Sequence, residues 1–196
     1  MGRLVIMARA PRVGAVKRRL ARDIGAVAAW RFYEGNLAAL TRRLAPDPRW
    51  ITWLALTPDR AALRPPRRAA RRARPVGQGR GDLGARMGRF LAGAAPGPVV
   101  IVGSDVPAIE ARHVAHAFRV LGRADWVFGP ALDGGYWLIG AARRRPMPRD
   151  LFAGVRWSTG DALADTVRAL GDARVAYLET LGDIDTGADL RSRGAP

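Results

Sequence analysis

Two aspartates of this sequence each adjoin an apolar run that is typical of a buried strand. Asp105 follows Val-Val-Ile-Val-Gly-Ser, and Asp133 lies between two apolar runs. Open α/β sheets bind their ligands at the carboxyl ends of such strands. A carboxylate there can hold Mg²⁺ or Mn²⁺ beside a diphosphate, because both cations prefer carboxylate oxygen. For Asp105 an equally good interpretation is a helix N-cap, formed by Ser104 or Asp105 ahead of Pro107.

Two further acidic segments allow both a functional and a structural interpretation. The turn Asp133-Gly134-Gly135 either lets the backbone approach a ligand closely or simply connects two strands. Asp183 and Asp185 follow the last predicted strand. They either present two carboxylates to one cation or cap the short helix that follows.

A loop after the first predicted strand opens a basic helix and is a candidate anion site. The loop contains Ala10, Pro11 and Gly14 and leads to Lys17 and Arg19. Amide groups at a helix N-terminus and cationic side chains would face the same anion there. The alternative is a solvated basic helix, because the sequence has neither the Gly-Lys-Ser/Thr ending of a P-loop nor a dinucleotide-binding fingerprint.

A second glycine-rich loop runs from Gln78 to Asp82 and leads into a predicted helix. Asp82 lies at the start of that helix, where a carboxylate complements the helix dipole. The loop is another candidate for contact with an anion.

The chain carries a formal net charge of +16, which predicts attraction to anions such as nucleotides and phosphorylated sugars. Of its 33 basic residues only Lys17 is lysine, and this preference for arginine is typical of GC-rich coding. Part of the arginine excess therefore reflects composition rather than a ligand. The same preference favours a functional role for Lys17 over chance retention, because a guanidinium does not replace a compact ammonium that must reach a phosphate.

Several other classes of function are disfavoured. The sequence has no cysteine, which excludes disulfides, thiolate metal sites and a cysteine nucleophile. It has no Gly-x-Ser-x-Gly elbow of a serine hydrolase and no apolar run long enough to span a bilayer. His113 and His116 lack a carboxylate at ligand spacing, so we expect packing or surface roles for them. The arginines of residues 64–74 lack interleaved aromatic residues, so we expect a solvated loop rather than a nucleic-acid site.

Strand and helix patterns alternate along the chain and predict a mostly parallel, three-layer α/β/α sheet in one domain of residues 1–196. A connection rich in proline and arginine occupies residues 58–75, with one helical turn at 59–63. Strands are predicted at 4–8, 50–56, 98–102, 126–129, 136–140 and 174–178. Helices are predicted at 16–24, 26–44, 82–94, 111–121, 158–170 and 187–191.

An ordered set of motifs extends from Met7 to about Leu190. The motifs are Ala10-Pro11…Gly14…Val16-Lys17…Arg19-Leu20, Gln78-Gly79…Gly81-Asp82-Leu83-Gly84…Arg86-Met87, Gly103-Ser104-Asp105…Pro107, Gly129-Pro130-Ala131…Asp133-Gly134-Gly135-Tyr136, Trp157-Ser158-Thr159 and Asp183-Ile184-Asp185-Thr186. Together they resemble the DUF2064 family, also called the rSAM/selenodomain-associated transferase 1 group. Members of the group are described as glycosyltransferase-like, and some are linked to arsenosugar biosynthesis.

This family is similar to nucleotide-diphospho-sugar transferases with a Rossmann-like GT-A fold. The resemblance implies that Asp105 is a metal ligand, that Asp185 is a second one, and that the metal is Mg²⁺ or Mn²⁺. The implied nucleotide- or phosphate-binding residues are Ala10, Pro11, Gly14, Lys17, Arg19, Gln78, Asp82 and Ser104. The implied acceptor-side turn is formed by Asp133, Gly134, Gly135 and Tyr136.

The sequence departs from the family pattern at three positions. Arg18 replaces a threonine that usually follows the lysine, which removes a hydroxyl from the phosphate side. Val106 replaces a cysteine after the aspartate, which excludes a thiol role. Gly103 prevents a full Asp-x-Asp motif, so a metal at Asp105 would need water, phosphate or Asp185 to complete its ligands.

These observations lead to a metal-dependent glycosyltransferase as the first hypothesis, with a nucleotide-activated sugar as donor and a small-molecule acceptor. Lys17 and Arg19 would stabilise charge on the leaving nucleotide, and Asp133 would orient the acceptor hydroxyl or accept its proton. The alternatives are a nucleotidyltransferase that joins a nucleoside triphosphate to a sugar phosphate or phospho-acid, and a non-catalytic nucleotide- or nucleic-acid-binding protein. We expect a cytoplasmic protein without nucleic acid as its partner. The base, the sugar, the acceptor and the oligomeric state are not determined by the sequence.

Overall fold

The computed structural model describes residues 1–93, 97–148 and 150–194. The strands are β1 (Gly2–Arg9), β2 (Trp50–Thr57), β3 (Arg74–Gly77), β4 (Val99–Gly103), β5 (Trp126–Pro130), β6 (Tyr136–Ala141) and β7 (Val175–Tyr177). The helices are α1 (Arg18–Ile24), α2 (Ala26–Leu44), α3 (Arg67–Ala70), α4 (Leu83–Gly93), α5 (Ala111–Val120), α6 (Ala162–Arg168) and α7 (Gly187–Gly194), and a 3₁₀ turn forms at Asp59–Ala62.

The strands form one sheet in the order β3-β2-β1-β4-β6-β5-β7. β1 pairs in parallel with β2 and β4, β2 with β3, and β5 with β7. β6 runs antiparallel to its neighbours β4 and β5. The mostly parallel mixed sheet expected from the sequence is therefore confirmed. Because the chain leaves β1 on one side for β2 and returns on the other as β4, a crevice opens at the carboxyl ends of β1 and β4.

Side chains of the central strands alternate between two apolar layers. In β1, Leu4 and Ile6 pack into one layer, and Val5 and Met7 pack into the other. Helices α2, α3 and α5 cover the first face of the sheet, while α4 and α6 cover the second. This burial on both faces explains why β1 and β4 have continuous apolar sequences. It also confirms the three-layer arrangement.

Helix α2 has the bounds that its sequence pattern predicts. Its buried residues Tyr33, Leu37, Leu40 and Leu44 recur at helical spacing and pack on the sheet. The indole Nε1 of Trp50 donates a 2.9 Å hydrogen bond to the carbonyl of Leu44, which joins the end of the helix to β2. Among the described residues, no helix combines the length and hydrophobicity that a membrane span requires.

Two predicted helices begin later than expected, and each has a residue with a left-handed backbone at or near its predicted start. Lys17 has φ 48° and ψ 50°, so α1 begins at Arg18 rather than at residue 16. Ser158 has φ 61°, and the helix predicted at 158–170 is restricted to α6. Of the helix predicted at 82–94, the structure shows α4 as far as Gly93, and Ala94 lies outside the described residues.

Strand β3 and helix α3 are absent from the sequence prediction, which assigns residues 58–75 to a connection. β3 lies at the edge of the sheet and pairs with β2. Pro75 is tolerated in β3 because an edge strand needs ladder hydrogen bonds on one side only. The proline and arginine content of the segment is therefore compatible with regular structure that only the neighbouring strand stabilises.

Gly129 of β5 is expected to tolerate no side chain. A Cβ atom added there would overlap the buried ring of Trp137 on the adjacent strand β6. We expect Gly129→Ala to lower the free energy of unfolding by about 1–3 kcal/mol through overpacking. Gly35→Ala is the matched control: a Cβ atom at this position of α2 meets open space, and the change should stabilise the helix by about 0.5–1 kcal/mol. Urea denaturation measures both changes, and equal stability of the two variants would contradict the packing.

Candidate active site

A cleft of about 540 Å³ lies at the carboxyl ends of β1 and β4. Its walls come from the loop after β1, the loop after β4, the start of α4, and two segments near residues 157 and 185. This is the point at which the strand order reverses, where open α/β sheets bind their ligands. The cleft is therefore the candidate active site.

The side chain of Lys17 connects three segments that are far apart in the sequence. Its Nζ lies 3.1 Å from Oδ1 of Asp105 and 2.7 Å from Oδ1 of Asp185. The Lys17 side chain is only 5% exposed, whereas those of Asp105 and Asp185 are 52% and 40% exposed. The two carboxylates thus face the cleft while the ammonium lies beneath them. All three residues are predicted from the sequence, and the structure brings them together.

Two charges keep the buried Lys17 ammonium protonated. Burial by itself lowers the pKa of Lys17, but the carboxylates of Asp105 and Asp185 more than offset this, and the pKa lies above its ordinary value. The left-handed backbone of Lys17 costs about 1–2 kcal/mol for a residue with a Cβ atom. The two ion pairs supply a reason for this conformation, because it directs the side chain towards both carboxylates.

Asp183 and Asp133 add negative charge beside this group. Burial raises the pKa of Asp183, the charges of Asp185 and Asp133 raise it further, and Lys17 opposes them. Asp133 itself does not line the cleft, and its Oδ1 accepts a 3.0 Å hydrogen bond from the amide of Gly135. The Asp133 turn thus lies outside the cleft, but the charge of Asp133 still acts on Asp183.

Gly134 permits a close approach between two segments of the protein. Its φ is +82°, and a Cβ atom there would overlap the backbone of Gly160. The amide of Leu163 also donates a 3.2 Å hydrogen bond to the carbonyl of Gly134. The glycine-rich turn therefore packs against the segment that carries Trp157 and Ser158, and both of those residues line the cleft.

Tyr136 begins β6 and packs into the interior. Its ring lies 5.3 Å from that of Phe128, centroid to centroid, in an edge-on arrangement. Its hydroxyl is buried, and this burial raises the pKa of the phenol. Tyr136 therefore packs beneath the turn that is predicted from the sequence to face the acceptor.

A buried hydrogen-bond cluster joins the ends of β1 and β4. The Tyr33 hydroxyl accepts a 2.9 Å bond from the amide of Arg9 and donates a 3.0 Å bond to the Arg9 carbonyl. Because that donation uses its single proton, the 3.1 Å contact with Ser104 Oγ requires the serine to donate. The side chain of Asn36 donates a 2.7 Å bond to the Ser104 carbonyl. Ser104 lines the cleft, and its hydroxyl is already engaged in this support.

Gln78 and Asp82 hold the second glycine-rich loop in place. The side-chain amide of Gln78 donates to the carbonyls of Ala8 and Ala55, at 3.0 and 2.9 Å, and so joins β1 to β2. Asp82 Oδ1 accepts a 2.8 Å bond from the amide of Ala85 at the start of α4. Gln78 lines the cleft, whereas Asp82 lies outside its lining.

The remaining residues of the first loop differ in position. Ala10 and Pro11 line a neighbouring depression rather than the cleft. Gly14 has φ +77° with open space around its Cα. Arg19 lines the cleft, and its Nη1 lies 3.8 Å from Oδ2 of Asp185.

Cleft residues without a predicted role include Tyr33, Arg86, Trp157 and Ser158. Tyr33 has only the pattern of a core residue, and its hydroxyl bonds depend on tertiary contacts. Arg86, Trp157 and Ser158 belong to the motifs of the family resemblance, which is the only signal that marks them. Arg86 is half-buried, and its Nε donates a 2.9 Å bond to the carbonyl of Gly81, which directs the guanidinium along the cleft wall.

His113 and His116 lie away from the cleft, as expected. His113 is buried, and its Nδ1 accepts a 3.0 Å bond from the amide of Glu110. Its Nε2 lies 2.9 Å from Oε1 of Glu179. This carboxylate is distant in the sequence, and the fold brings it to His113. His116 is exposed.

The donor set at Asp105 and Asp185 is compatible with a divalent cation. One oxygen of each carboxylate lies within 3.1 Å of the same point, the Lys17 nitrogen, so both can face one positive charge. Carboxylate oxygen is the ligand type that Mg²⁺ and Mn²⁺ prefer. Within residues 1–93, 97–148 and 150–194, no cluster of three or more His, Cys, Asp or Glu side chains is arranged to hold a metal. Water and ligand phosphate would therefore have to complete the coordination.

Comparison with known families gives one match. The model of a family described as an uncharacterized protein conserved in bacteria (DUF2064) matches residues 40–159, which is more than half of the chain. No protein of curated function matches the chain significantly.

Several solved structures are similar to this one. A protein from Desulfovibrio desulfuricans G20, whose proposed class is nucleotide-diphospho-sugar transferase, is 29% identical with a TM-score of 0.89, and the match covers 98% of this chain and 85% of that one. Glucosyl-3-phosphoglycerate synthase from Mycobacterium tuberculosis, solved with Mg²⁺ and uridine diphosphate, is 15% identical with a TM-score of 0.56. The match covers 97% of this chain and 73% of that one. The 4-diphosphocytidyl-2C-methyl-D-erythritol synthase from Anaerococcus prevotii DSM 20548 is 11% identical with a TM-score of 0.57. The match covers 97% of this chain and 95% of that one. The last two likenesses show a shared fold, and the Rossmann-like fold expected from the sequence is confirmed.

Replacement of Lys17 by methionine should destabilise the protein by about 1–2 kcal/mol, since two half-exposed carboxylates lose their shared cation. Lys17→Arg keeps the charge but not the compact shape, and should recover only part of the loss. The folded-state pKa of Lys17 is raised above 10.5, so its stabilising effect is complete below pH 10.5 and is lost as the pH rises through the folded-state value. Urea denaturation of the parent protein and the variants, at pH 7 and above pH 10.5, measures the contribution of Lys17 to stability and its loss at high pH. Equal stability of Lys17→Met and the parent protein at pH 7 would contradict the ion pairs.

The hydroxyl of Tyr33 should contribute measurably to stability. Burial, together with the charge of Asp105, raises the pKa of Tyr33 to about 12, so the phenol is a neutral donor at ordinary pH. Tyr33→Phe leaves the Arg9 amide and carbonyl without this partner, and we expect a loss of about 1–3 kcal/mol in urea denaturation. Tyr177→Phe is the control, because Tyr177 is 54% exposed and should change stability by less than about 0.5 kcal/mol. A similar small change at both tyrosines would exclude the cluster as a stabilising contact.

Proposed function

The chain belongs to the DUF2064 family of bacterial proteins, and we propose that it is a metal-dependent glycosyltransferase with a nucleotide-activated sugar as donor. One observation carries the proposal. The crevice between β1 and β4 brings together Lys17, Asp105 and Asp185. The ammonium of Lys17 complements a diphosphate, and the two carboxylates complement a divalent cation. The Desulfovibrio desulfuricans protein, whose proposed class is nucleotide-diphospho-sugar transferase, supports the nucleotide-sugar part of the proposal through its identity of 29% over nearly the whole chain.

In the proposed complex the diphosphate of the donor occupies the cleft beside Lys17. Asp105 and Asp185 would hold Mg²⁺ or Mn²⁺, which when bound supplies positive charge for the leaving diphosphate. Lys17 reaches both carboxylates through a flexible stem, so its ammonium can pair with phosphate oxygen once a cation neutralises the aspartates. Arg19 and Arg86 line the same cleft and add charge-assisted hydrogen bonds to phosphate.

The acceptor is proposed to bind on the side of the Asp133 turn. Asp133 would orient the acceptor hydroxyl or accept its proton, with Gly134, Gly135 and Tyr136 forming the turn that holds it. The nucleotide-binding roles of Ala10, Pro11, Gly14, Gln78, Asp82 and Ser104 are also part of the proposal.

The biological setting is proposed from the family resemblance alone. It suggests a modified sugar of the arsenosugar type as the product, made in the cytoplasm. The acceptor is a small molecule in this proposal.

A nucleotidyltransferase is the second candidate. The fold that the chain shares with 4-diphosphocytidyl-2C-methyl-D-erythritol synthase is compatible with this reaction. The cationic side chains of the cleft suit a triphosphate as well as a diphosphate. Release of inorganic pyrophosphate from a nucleoside triphosphate would decide in favour of this reaction. Nucleotide binding without any turnover would decide in favour of a non-catalytic protein.

Thermal-shift measurements with nucleotides and nucleotide sugars test the metal-dependent binding. A ligand at about 100 times its Kd should raise the Tm by about 5–10 °C, and we expect this rise for a diphosphate nucleotide only when Mn²⁺ or Mg²⁺ is present. Asp105→Asn should abolish the metal-dependent part of the rise. Asp172→Asn is the matched control, because Asp172 is exposed and lies outside the cleft lining.

Turnover is measured as release of the nucleoside diphosphate from the nucleotide sugar that gives the largest shift. Asp105→Asn should lower the rate by about 100-fold or more, and Asp172→Asn should leave it unchanged. Full activity of Asp105→Asn would contradict the proposed role of this carboxylate. Metal-dependent stabilisation by triphosphates alone would replace the donor class with that of a nucleotidyltransferase.

A further inference from the structure

A second concave surface, the arginine groove, lies between helices α2 and α3 on the outer face of the molecule. It has a volume of about 830 Å³. Its walls include Arg42, Arg68, Arg71 and Arg72. Its floor includes small residues of the two helices, among them Ala38 and Ala69. None of the residues that line the cleft lines this groove, so the two sites are separate.

The four guanidinium groups of the arginine groove have no acidic partner. In the described part of the chain none of them makes an ion pair, and no aspartate or glutamate lines the groove. Elsewhere the fold does pair its arginines, as in Arg49 with Asp47, Arg174 with Asp125, and Arg156 with Asp165. Four like charges around one concavity repel one another, and an anion in the groove would relieve this repulsion.

The coding bias of the chain does not account for this arrangement. A GC-rich sequence explains why a basic residue is arginine rather than lysine. It does not explain why arginines from two helices surround one concavity that excludes carboxylates. Arg42 lies at the end of α2, and the other three belong to the run of residues 67–72 within or just after α3, so the fold brings Arg42 to that run.

The shape and lining of the groove indicate the chemistry of its ligand. Guanidinium groups form paired hydrogen bonds with phosphate and carboxylate oxygens. The volume falls within the range of small-molecule sites. No aromatic residue lines the groove among the described residues, so it lacks the stacking surface on which single-stranded nucleic acid binds.

We propose that the arginine groove is a second anion-binding site that takes a small, multiply charged phosphate compound. Arg68 would bind it from α3, Arg72 from the segment just after α3, and Arg42 from α2. The small residues of the floor would let the phosphate groups approach the helices closely. This site does not depend on the proposed transferase activity, and it needs no metal.

The test uses inorganic tripolyphosphate and isothermal titration calorimetry on the full chain, with EDTA present to remove divalent cations. We expect saturable binding at one site. Arg68→Gln/Arg72→Gln should weaken it by about 10- to 100-fold, because two charge-assisted contacts are lost. Arg119→Gln/Arg123→Gln is the matched control: it removes the same charge at the same spacing from the end of α5, and should change the affinity by less than about twofold.

Further measurements separate the groove from the cleft and from a general effect of charge. Lys17→Met should bind tripolyphosphate as the parent protein does, and a loss in this variant would place the binding in the cleft and overturn the proposal. Equal weakening by the two arginine pairs would show attraction by net charge alone and would also overturn it. Urea denaturation should show that Arg68→Gln/Arg72→Gln is at least as stable as the parent protein, because it relieves repulsion.

A labelled oligonucleotide distinguishes the remaining source of phosphate. If it binds far more tightly than tripolyphosphate and loses that affinity in Arg68→Gln/Arg72→Gln, the groove is a nucleic-acid site and the proposal of a small ligand is wrong. Weaker or equal binding of the oligonucleotide supports the proposal. Absence of metal-dependent donor binding in the cleft would leave this result unaffected, so the two proposals fail independently.

Discussion

The buried ammonium of Lys17 is the constraint on which the candidate site depends. A charge with 5% exposure is tolerated because Asp105 and Asp185 face it at 3.1 and 2.7 Å. The contact holds together the end of β1, the end of β4 and the segment before α7. It also explains the left-handed backbone of Lys17, which delays the start of α1. The same geometry leaves both carboxylates half-exposed to the cleft.

The support beneath this group is made of neutral hydrogen bonds. Tyr33 binds the backbone of Arg9 and the hydroxyl of Ser104, which connects α2 to the edge of the sheet. Gln78 connects β1 to β2 through hydrogen bonds to a carbonyl of each strand. These side chains line the cleft or lie under it, but their polar groups are directed at the protein.

Much of the fold could be predicted from the sequence because burial on both faces gives a strong signal. β1 and β4 were apolar runs, and α2 had a clear helical period, so their bounds were nearly correct. The edge strand β3 was missed, since Pro75 and its arginine neighbours have no intrinsic strand preference and depend on β2 for pairing. The start of α1 was misplaced because the conformation of Lys17 is decided by carboxylates that are distant in the sequence.

The sequence by itself determined the order of elements, the separate residues Lys17, Asp105, Asp133 and Asp185, and the family to which they point. These properties follow from local composition and spacing, which act over a few residues. Only the tertiary structure decided that Lys17 lies between two aspartates, that the Asp133 turn stands outside the cleft, and that arginines of α2 and α3 share one groove. The physical reason is that charge pairing and burial depend on distance in space, and loops after different strands meet only when the sheet sets their order.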